Sequence, residues 1–298
     1  MYRLIVLLTA LALAACAGPS MFTNGSQSTP DVLTSTTILA DITRNIAGDR
    51  LTVESLLPVG SDPHSYQPVP QDATRLNNSN VLVVNGAEYE HFLESLIESA
   101  GGERALIEAS ASLSLRTEAE EEQGVDPHLW LDPNHVIVYV ENIRDGLIRF
   151  DPDGADVYRS NADAYIGQLR ELDAWIDAQV AQIEPERRVL VTNHEALGYF
   201  AERYGFTVVG TILPSFSSNS SPSAQQMADL IEQIRQVQAP AIFLDAADNP
   251  TLARQIAEET GADVVTDLHL ESLTDGAPAA TYIDMMKHNI TRIVGALQ

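Results

Sequence analysis

From Asp31 onward, apolar and polar positions divide the chain into short β-branched runs that alternate with longer amphipathic ones. An apolar run near Val32 to Ile38 reads as a strand, Leu39 to Ala47 as a helix stopped by Gly48, and the stretch from Leu51 as a second strand. Val81 to Val84 has the length and branching of a buried strand, and after Asn85-Gly86 a helical pattern runs through Leu96. Another helix is predicted from about Asn134 to Arg149. Continuous apolar strands separated by helices imply parallel sheets covered on both faces.

Between Gly154 and Glu184 the alternation stops. Tyr158, Ala162, Tyr165, Leu169, Leu172, Ile176, Val180 and Ile183 fall three or four apart, with no proline and Gly167 as the one internal weak point. This spacing predicts one helix of about 45 Å. Its narrow apolar stripe suits a rod that lies along two domains and joins them. After Pro185 the alternation resumes. RRVLVTN, FTVVGTI, AIFLD and ADVVT read as strands. EALGYFAERYG, a segment opened by Ser221-Pro222 and running to about Gln238, one opened by Asn249-Pro250 and stopped by Gly261, and TYIDMMKHNITRIVGAL read as helices. The expected fold class is α/β: two similar lobes with parallel sheets, residues 31–152 and 186–298, joined by a long rigid linker helix over 153–185.

The first thirty residues follow another pattern. Arg3 precedes about a dozen apolar or small residues, too few for a comfortable membrane span but suited to a secretory signal over 1–15. The signal ends in Leu13-Ala14-Ala15-Cys16, which resembles a bacterial lipobox, and Cys16 is the only cysteine in the chain. Residues 16–30 are rich in Ser, Thr, Gly and Pro and read as a lipidated flexible stalk. The expected location is extracytoplasmic, either anchored to the cell membrane through lipid or periplasmic.

Composition narrows the chemistry. With 42 acidic against 17 basic side chains, the formal net charge of -25 argues against nucleic-acid binding, which needs a basic face. A lone cysteine supplies neither an intramolecular disulfide nor a thiolate metal cage, so soft-metal chemistry must come from histidine and carboxylate.

Seven histidines need sorting. His64 and His128 share a repeated context, Asp62-Pro63-His64 and Asp126-Pro127-His128, in which proline stiffens the turn that presents each imidazole. Asp62 and Asp126 are placed to accept the free ring N–H and set the tautomer, as metal sites commonly require. His194 falls at the carboxyl end of a strand, where open α/β sheets place ligands. His194-Glu195 looks like half of a zincin motif, but Gly198 stands where the second histidine would be, which disfavours a metalloprotease. His91, His135 and His288 read as surface or capping residues. His269 lies two residues from Glu271, and in an extended loop both would point to one side.

The lipobox, the two Asp-Pro-His motifs continuing as Ser-Tyr-Gln-Pro and Leu-Trp-Leu-Asp-Pro, the His194 motif, the long central helix and the closing Tyr-Ile-Asp-Met-Met-Lys-His-Asn helix together resemble the cluster A-I solute-binding proteins of zinc and manganese ABC transporters. The resemblance covers the chain from about Asp31. It implies two α/β lobes on a rigid helix, one metal in the cleft, and four ligands, two from each lobe. Carried over by position these are His64, His128, His194 and Glu271. His194 stands where zinc-type members have His and manganese-type members Glu. Glu271 departs from the usual Asp, so Asp267 or His269 would substitute if the loop were shifted. Asp245 lies where the family often has a strand-end glutamate and is a candidate for supporting the ligands from behind.

Three imidazoles and a carboxylate in a closed shell suit Zn(II), whereas Mn(II) prefers more oxygen. The expectation is therefore Zn(II) as transported ligand, with Mn(II) as the alternative, a monomeric carrier, and delivery to an ABC permease in the membrane rather than catalysis. Two readings of other classes compete. One is a zinc hydrolase using Glu195 as base; the other is an adhesin, for which the sequence has no ligand-binding repeat. Many zinc-type relatives have a histidine-rich loop before the second motif, whereas Arg116 to Gly124 here is acidic and lacks histidine. It reads as a solvated charge run, with a weak cation-attracting role as the other possibility.

Overall fold

The computed structural model describes residues 31–117 and 124–298. The predicted signal, Cys16, the stalk and the centre of the acidic run lie outside the described residues. The first lobe contains β1 (Val32–Thr34), α1 (Thr37–Ala47), β2 (Val53–Ser55), α2 (Pro70–Asn78), β3 (Val81–Val84), α3 (Leu93–Ala100), β4 (Ala105–Glu108) and α4 (Pro133–Phe150). Then α5 (Ala155–Val180) crosses to the second lobe. There follow β5 (Val189–Thr192), α6 (Gly198–Tyr204), β6 (Thr207–Thr211), α7 (Ala224–Val237), β7 (Ala241–Asp245), α8 (Thr251–Thr260), β8 (Asp263–Leu268) and α9 (Tyr282–Leu297).

Each lobe carries a four-stranded sheet, ordered β2-β1-β3-β4 and β6-β5-β7-β8, and every paired strand is parallel. The two halves thus repeat one topology. The wholly buried β1, β3 and β7 fall on apolar runs of the sequence, β1 closing on Thr34 and β7 on Asp245. Alternate residues of a strand point to opposite faces, and this divides the core. Val32, Val81 and Val83 face a large central cluster, while Leu33, Leu82 and Val84 face a small outer one beneath α2 and α3. In the second lobe, Phe243 faces the central cluster, and Ile242 and Leu244 an outer one with α7 and α8.

The central cluster is continuous across both lobes, and α5 is its spine. Its 26 residues span about 39 Å. Tyr158, Ala162, Tyr165, Leu169, Leu172, Ile176 and Val180 are buried along one stripe, as their spacing requires. The same cluster includes Val140 and Ile143 of α4 and Met285, Ile290 and Ile293 of α9. The helix stops before the predicted Glu184, because Gln182 and Ile183 donate to carbonyls three residues back and tighten the last turn ahead of Pro185.

Several expectations at element ends need correction. The helix placed after Asn85-Gly86 begins only at Leu93, because Ala87 and Glu88 adopt left-handed backbone at φ 51 and 59. Helix α7 is capped by Ser223, not Ser221: its Oγ accepts from Gln226 N–H while the Gln226 side chain accepts from Ser223 N–H. Helix α6 starts at Gly198, which leaves His194 and Glu195 in the strand-to-helix loop. Among the described residues, no helix is long and apolar enough to cross a membrane.

Candidate metal centre

Parallel sheets with this order gather their functional loops beyond the carboxyl ends of the strands. His64 follows β2, His128 follows β4, His194 follows β5 and Glu271 follows β8. These four side chains converge between the lobes, each offering one donor atom, all within 4.8 Å of one another. His64 Nε2 lies 3.3 Å from His128 Nε2, and His194 Nε2 lies 3.4 Å from it. Glu271 Oε1 is 3.4 Å from His128 Nε2 and 3.3 Å from His194 Nε2, yet makes no well-aligned hydrogen bond to either. A buried carboxylate oxygen without a partner, surrounded by ring nitrogens, is an arrangement that a cation would complete. His128, His194 and Glu271 are buried, and His64 is partly exposed.

The support behind these donors differs from one to the next. Asp126, fully buried, accepts from His128 Nδ1–H at 2.9 Å and from its backbone N–H at 3.0 Å, which turns Nε2 toward the cluster. Asp62 plays a different part from the one its identical motif suggests. It accepts the His64 backbone N–H at 2.9 Å, while its other oxygen takes the hydroxyls of Ser65 and Ser218, so it stiffens the turn without touching the imidazole. Asp245 reaches no histidine either: it accepts from the backbone N–H groups of Leu270 at 2.5 Å and Glu271 at 3.3 Å, fixing the loop that carries the carboxylate. Burial raises the Asp245 carboxyl to about 7.

His269 and Asp267 stand outside the cluster. His269 packs at a tilt against His288 with ring centroids 5.4 Å apart, and Asp267 pairs with Arg292 at 2.9 Å. His135 packs edge-on against Tyr199, and His91 is exposed. Gly198 has a local reason: a Cβ there would sit 2.8 Å from Asp126 Oδ2 and 2.9 Å from Arg116 Cζ. Its bareness lets Arg116 donate to the Gly198 carbonyl at 2.6 Å while its Nε stays 3.7 Å from Asp126.

Two aromatic residues that sequence reasoning missed close the site. Tyr89 OH donates to Glu271 Oε2 at 2.6 Å, and Trp130 Nε1–H donates to the Leu270 carbonyl at 2.8 Å. Both belong to the first lobe and hold a loop of the second. Trp130 stands two residues after His128 in its motif, whereas Tyr89 belongs to no motif and has no local signal in the sequence.

Protonation in the metal-free cluster follows from its crowding. Burial, joined by the His128 and His194 rings and partly offset by Glu271, pushes His64 down to about 4. At His128 burial also opposes the charge, but Glu271 and Asp126 outweigh it and lift the ring to about 9. Glu271 lies well below the usual carboxylate range, because the three imidazoles overcome its desolvation. Desolvation and the Glu271 charge hold the Tyr89 phenol well above its ordinary value, so it remains a donor.

Several proteins similar to this chain in sequence or fold are named for a metal they bind. The chain is 35% identical over 297 residues to the manganese-binding lipoprotein MntA of Halalkalibacterium halodurans, covering 99% of this chain and 98% of that one. It is 32% identical to the iron-binding protein YfeA of Yersinia pestis, covering 88% and 84% respectively. Among solved structures, the periplasmic zinc-binding protein TroA of Treponema pallidum superposes with a TM-score of 0.83 at 29% identity, over 90% of this chain and 99% of that one. The manganese-bound periplasmic metal-binding protein of Candidatus Liberibacter asiaticus superposes with 0.80 at 31% identity and the same coverage. The model of the ZnuA family, zinc-uptake complex component A, periplasmic, matches residues 32–296, and with that extent of match the chain belongs to this family of metal-binding solute-binding proteins of ABC transporters.

Proposed function

We propose that this protein captures Zn(II) with His64, His128, His194 and Glu271 and hands it to its membrane permease. Membership of the family makes it an extracytoplasmic carrier rather than an enzyme. The zinc reading is carried by the donor set, three imidazoles and one carboxylate, which suits a four-coordinate Zn(II) shell, and spacing is consistent with it in part. A tetrahedron with metal–donor bonds of about 2.0–2.1 Å, the range for zinc and imidazole, has edges of about 3.3–3.4 Å. Four of the six donor separations, the three to His128 and the one from His194 to Glu271, are 3.3, 3.4, 3.4 and 3.3 Å, and the two from His64 to His194 and Glu271 lie within 4.8 Å. With every position filled by protein no site remains for an activated water, which supports carriage over hydrolysis.

A manganese reading draws support from the relatives named for that metal. Equilibrium dialysis with both metals in competition separates the two: one Zn(II) per chain is expected, retained against excess Mn(II). If His64→Ala and His194→Ala leave stoichiometric Zn(II) binding intact, the ligand assignment fails. We propose also that Cys16 carries the lipid anchor, as in relatives named lipoproteins. Cys16→Ala should release the protein from the membrane fraction and abolish incorporation of labelled fatty acid.

A further inference from the structure

Glutamate brings two oxygens to a metal site, and its extra methylene over aspartate lets both swing onto the ion. Here one of them is already engaged. Glu271 Oε2 accepts the Tyr89 hydroxyl at 2.6 Å, while Oε1 alone points at the ring nitrogens of His128 and His194. Tyr89 has little freedom to let go. Its ring lies 4.8 Å from Trp130 and 5.3 Å, edge-on, from His64. The turn that presents it runs through the left-handed Gly86, Ala87 and Glu88. Glu90 ties that turn down by accepting from the Asn85 and Gly86 backbone N–H groups and from the Ser35 hydroxyl. Trp130 in turn holds the neighbouring Leu270 carbonyl. The phenol and the carboxylate are thus both fixed, from opposite lobes.

We propose that Tyr89 makes Glu271 a one-oxygen ligand and thereby biases the site toward a four-coordinate metal and against one that takes more oxygens. This rests on the reading of Glu271 as a ligand in the function proposed above. With Oε2 held by the phenol, the coordination shell closes at three nitrogens and one oxygen, the set that suits Zn(II); releasing Oε2 adds the second oxygen that Mn(II) favours. Tyr89 is a positioning residue, since it touches the carboxylate and leaves the metal to Oε1.

Tyr89→Phe removes the hydroxyl and keeps the ring. In the full chain, the ratio of Zn(II) to Mn(II) affinity, measured by competition, should fall on the order of tenfold, as expected for losing a hydrogen bond to a charged group. The Co(II)-loaded variant should exchange the intense visible bands of four-coordinate cobalt for the weak bands of higher coordination. An unchanged ratio with unchanged cobalt bands overturns the proposal. In a Glu271→Asp background the same substitution should leave the ratio unmoved, whereas a merely structural role predicts the full effect in both backgrounds. If Tyr89→Phe does not fold, X-ray absorption of the wild-type Zn(II) complex decides: one carboxylate oxygen in the first shell supports the proposal and two overturn it. A wild-type chain that prefers Mn(II) would defeat the zinc assignment alone, because the direction of the change in Tyr89→Phe would still be read.

Discussion

Replacing Asp126 by alanine tests how far the proposed metal centre depends on a residue that stands behind one of its donors. Asp126 and His128 are both fully buried, and the carboxylate receives the ring N–H at 2.9 Å. A hydrogen bond to a charged group contributes about 1.5–3 kcal/mol. The same bond exists when His128 carries a proton, so only the difference between the loaded and free states enters the affinity, and the lower end applies: about 1.5 kcal/mol, or roughly tenfold. A second effect opposes it. Asp126 is one of the groups that lift His128 to about 9, so at pH 7.5 zinc must displace a proton held roughly 30-fold in its favour. Removing Asp126 lowers that barrier in part. Competition against a chromophoric chelator should therefore show the full loss of about tenfold near pH 9, where the wild-type proton is leaving, and a smaller loss near pH 6.5. A ratio of wild-type to variant affinity that does not change with pH would refute the role of Asp126 in setting imidazole basicity. Equal affinity near pH 9 would refute the support role altogether.

Other outcomes follow from the same contacts. Because His128 titrates at about 9 and His64 at about 4, zinc binding at pH 7.5 should release about one proton, read as the dependence of calorimetric heat on buffer ionisation enthalpy. Apparent affinity should climb with pH until about 9 and then level. Ser218→Ala removes the 2.5 Å bond from the second lobe to Asp62, beside the hydrogen bond from Asn219 Nδ2 to the His64 carbonyl. Stopped-flow chelator capture should show faster zinc release with little change in melting temperature. Leu169→Ala on α5, fully buried in the core shared by both lobes, should cost about 2–5 kcal/mol in urea unfolding and leave a single transition, whereas separate transitions for the two lobes would contradict a continuous core.

The readable parts of the sequence were those governed by periodicity. Buried central strands such as Val81–Val84 and β7, apolar from Ala241 to Leu244, are unbroken apolar runs, and α5 carries its three-four spacing from Tyr158 to Val180. Edge elements leave weaker traces. Strand β4 buries only Ile107, and α2 has Leu76 as its one buried apolar residue, so neither shows a period long enough to read. Identical motifs also diverge in use. Asp-Pro-His occurs twice, but Asp126 is enclosed against its imidazole while Asp62 faces Ser218 of the other lobe, a partner far away in sequence. Tyr89 escaped notice for the same reason: its partner Glu271 lies 182 positions on, and no local pattern encodes that pairing.

Charge within the site selects valence before ligand type selects an element. Asp126 and Glu271 bring two carboxylates into a space where both are buried, and burial of an uncompensated charge is strongly unfavourable. In the metal-free protein the proton on His128 and the half-exposed guanidinium of Arg116, 3.7 Å from Asp126, supply the compensation. A divalent cation that displaces the proton restores it with one charge to spare, which the acidic surroundings absorb, whereas a monovalent cation would merely exchange one positive charge for another and forfeit the hydrogen-bonding geometry of the proton. Valence therefore comes from the paired carboxylates, a requirement that zinc, manganese and iron all meet, and relatives named for different metals can share this fold without contradiction. On the ligand set proposed above, discrimination among divalent ions would rest on features that do not alter net charge: the third imidazole at His194 and the number of oxygens that Glu271 is free to offer.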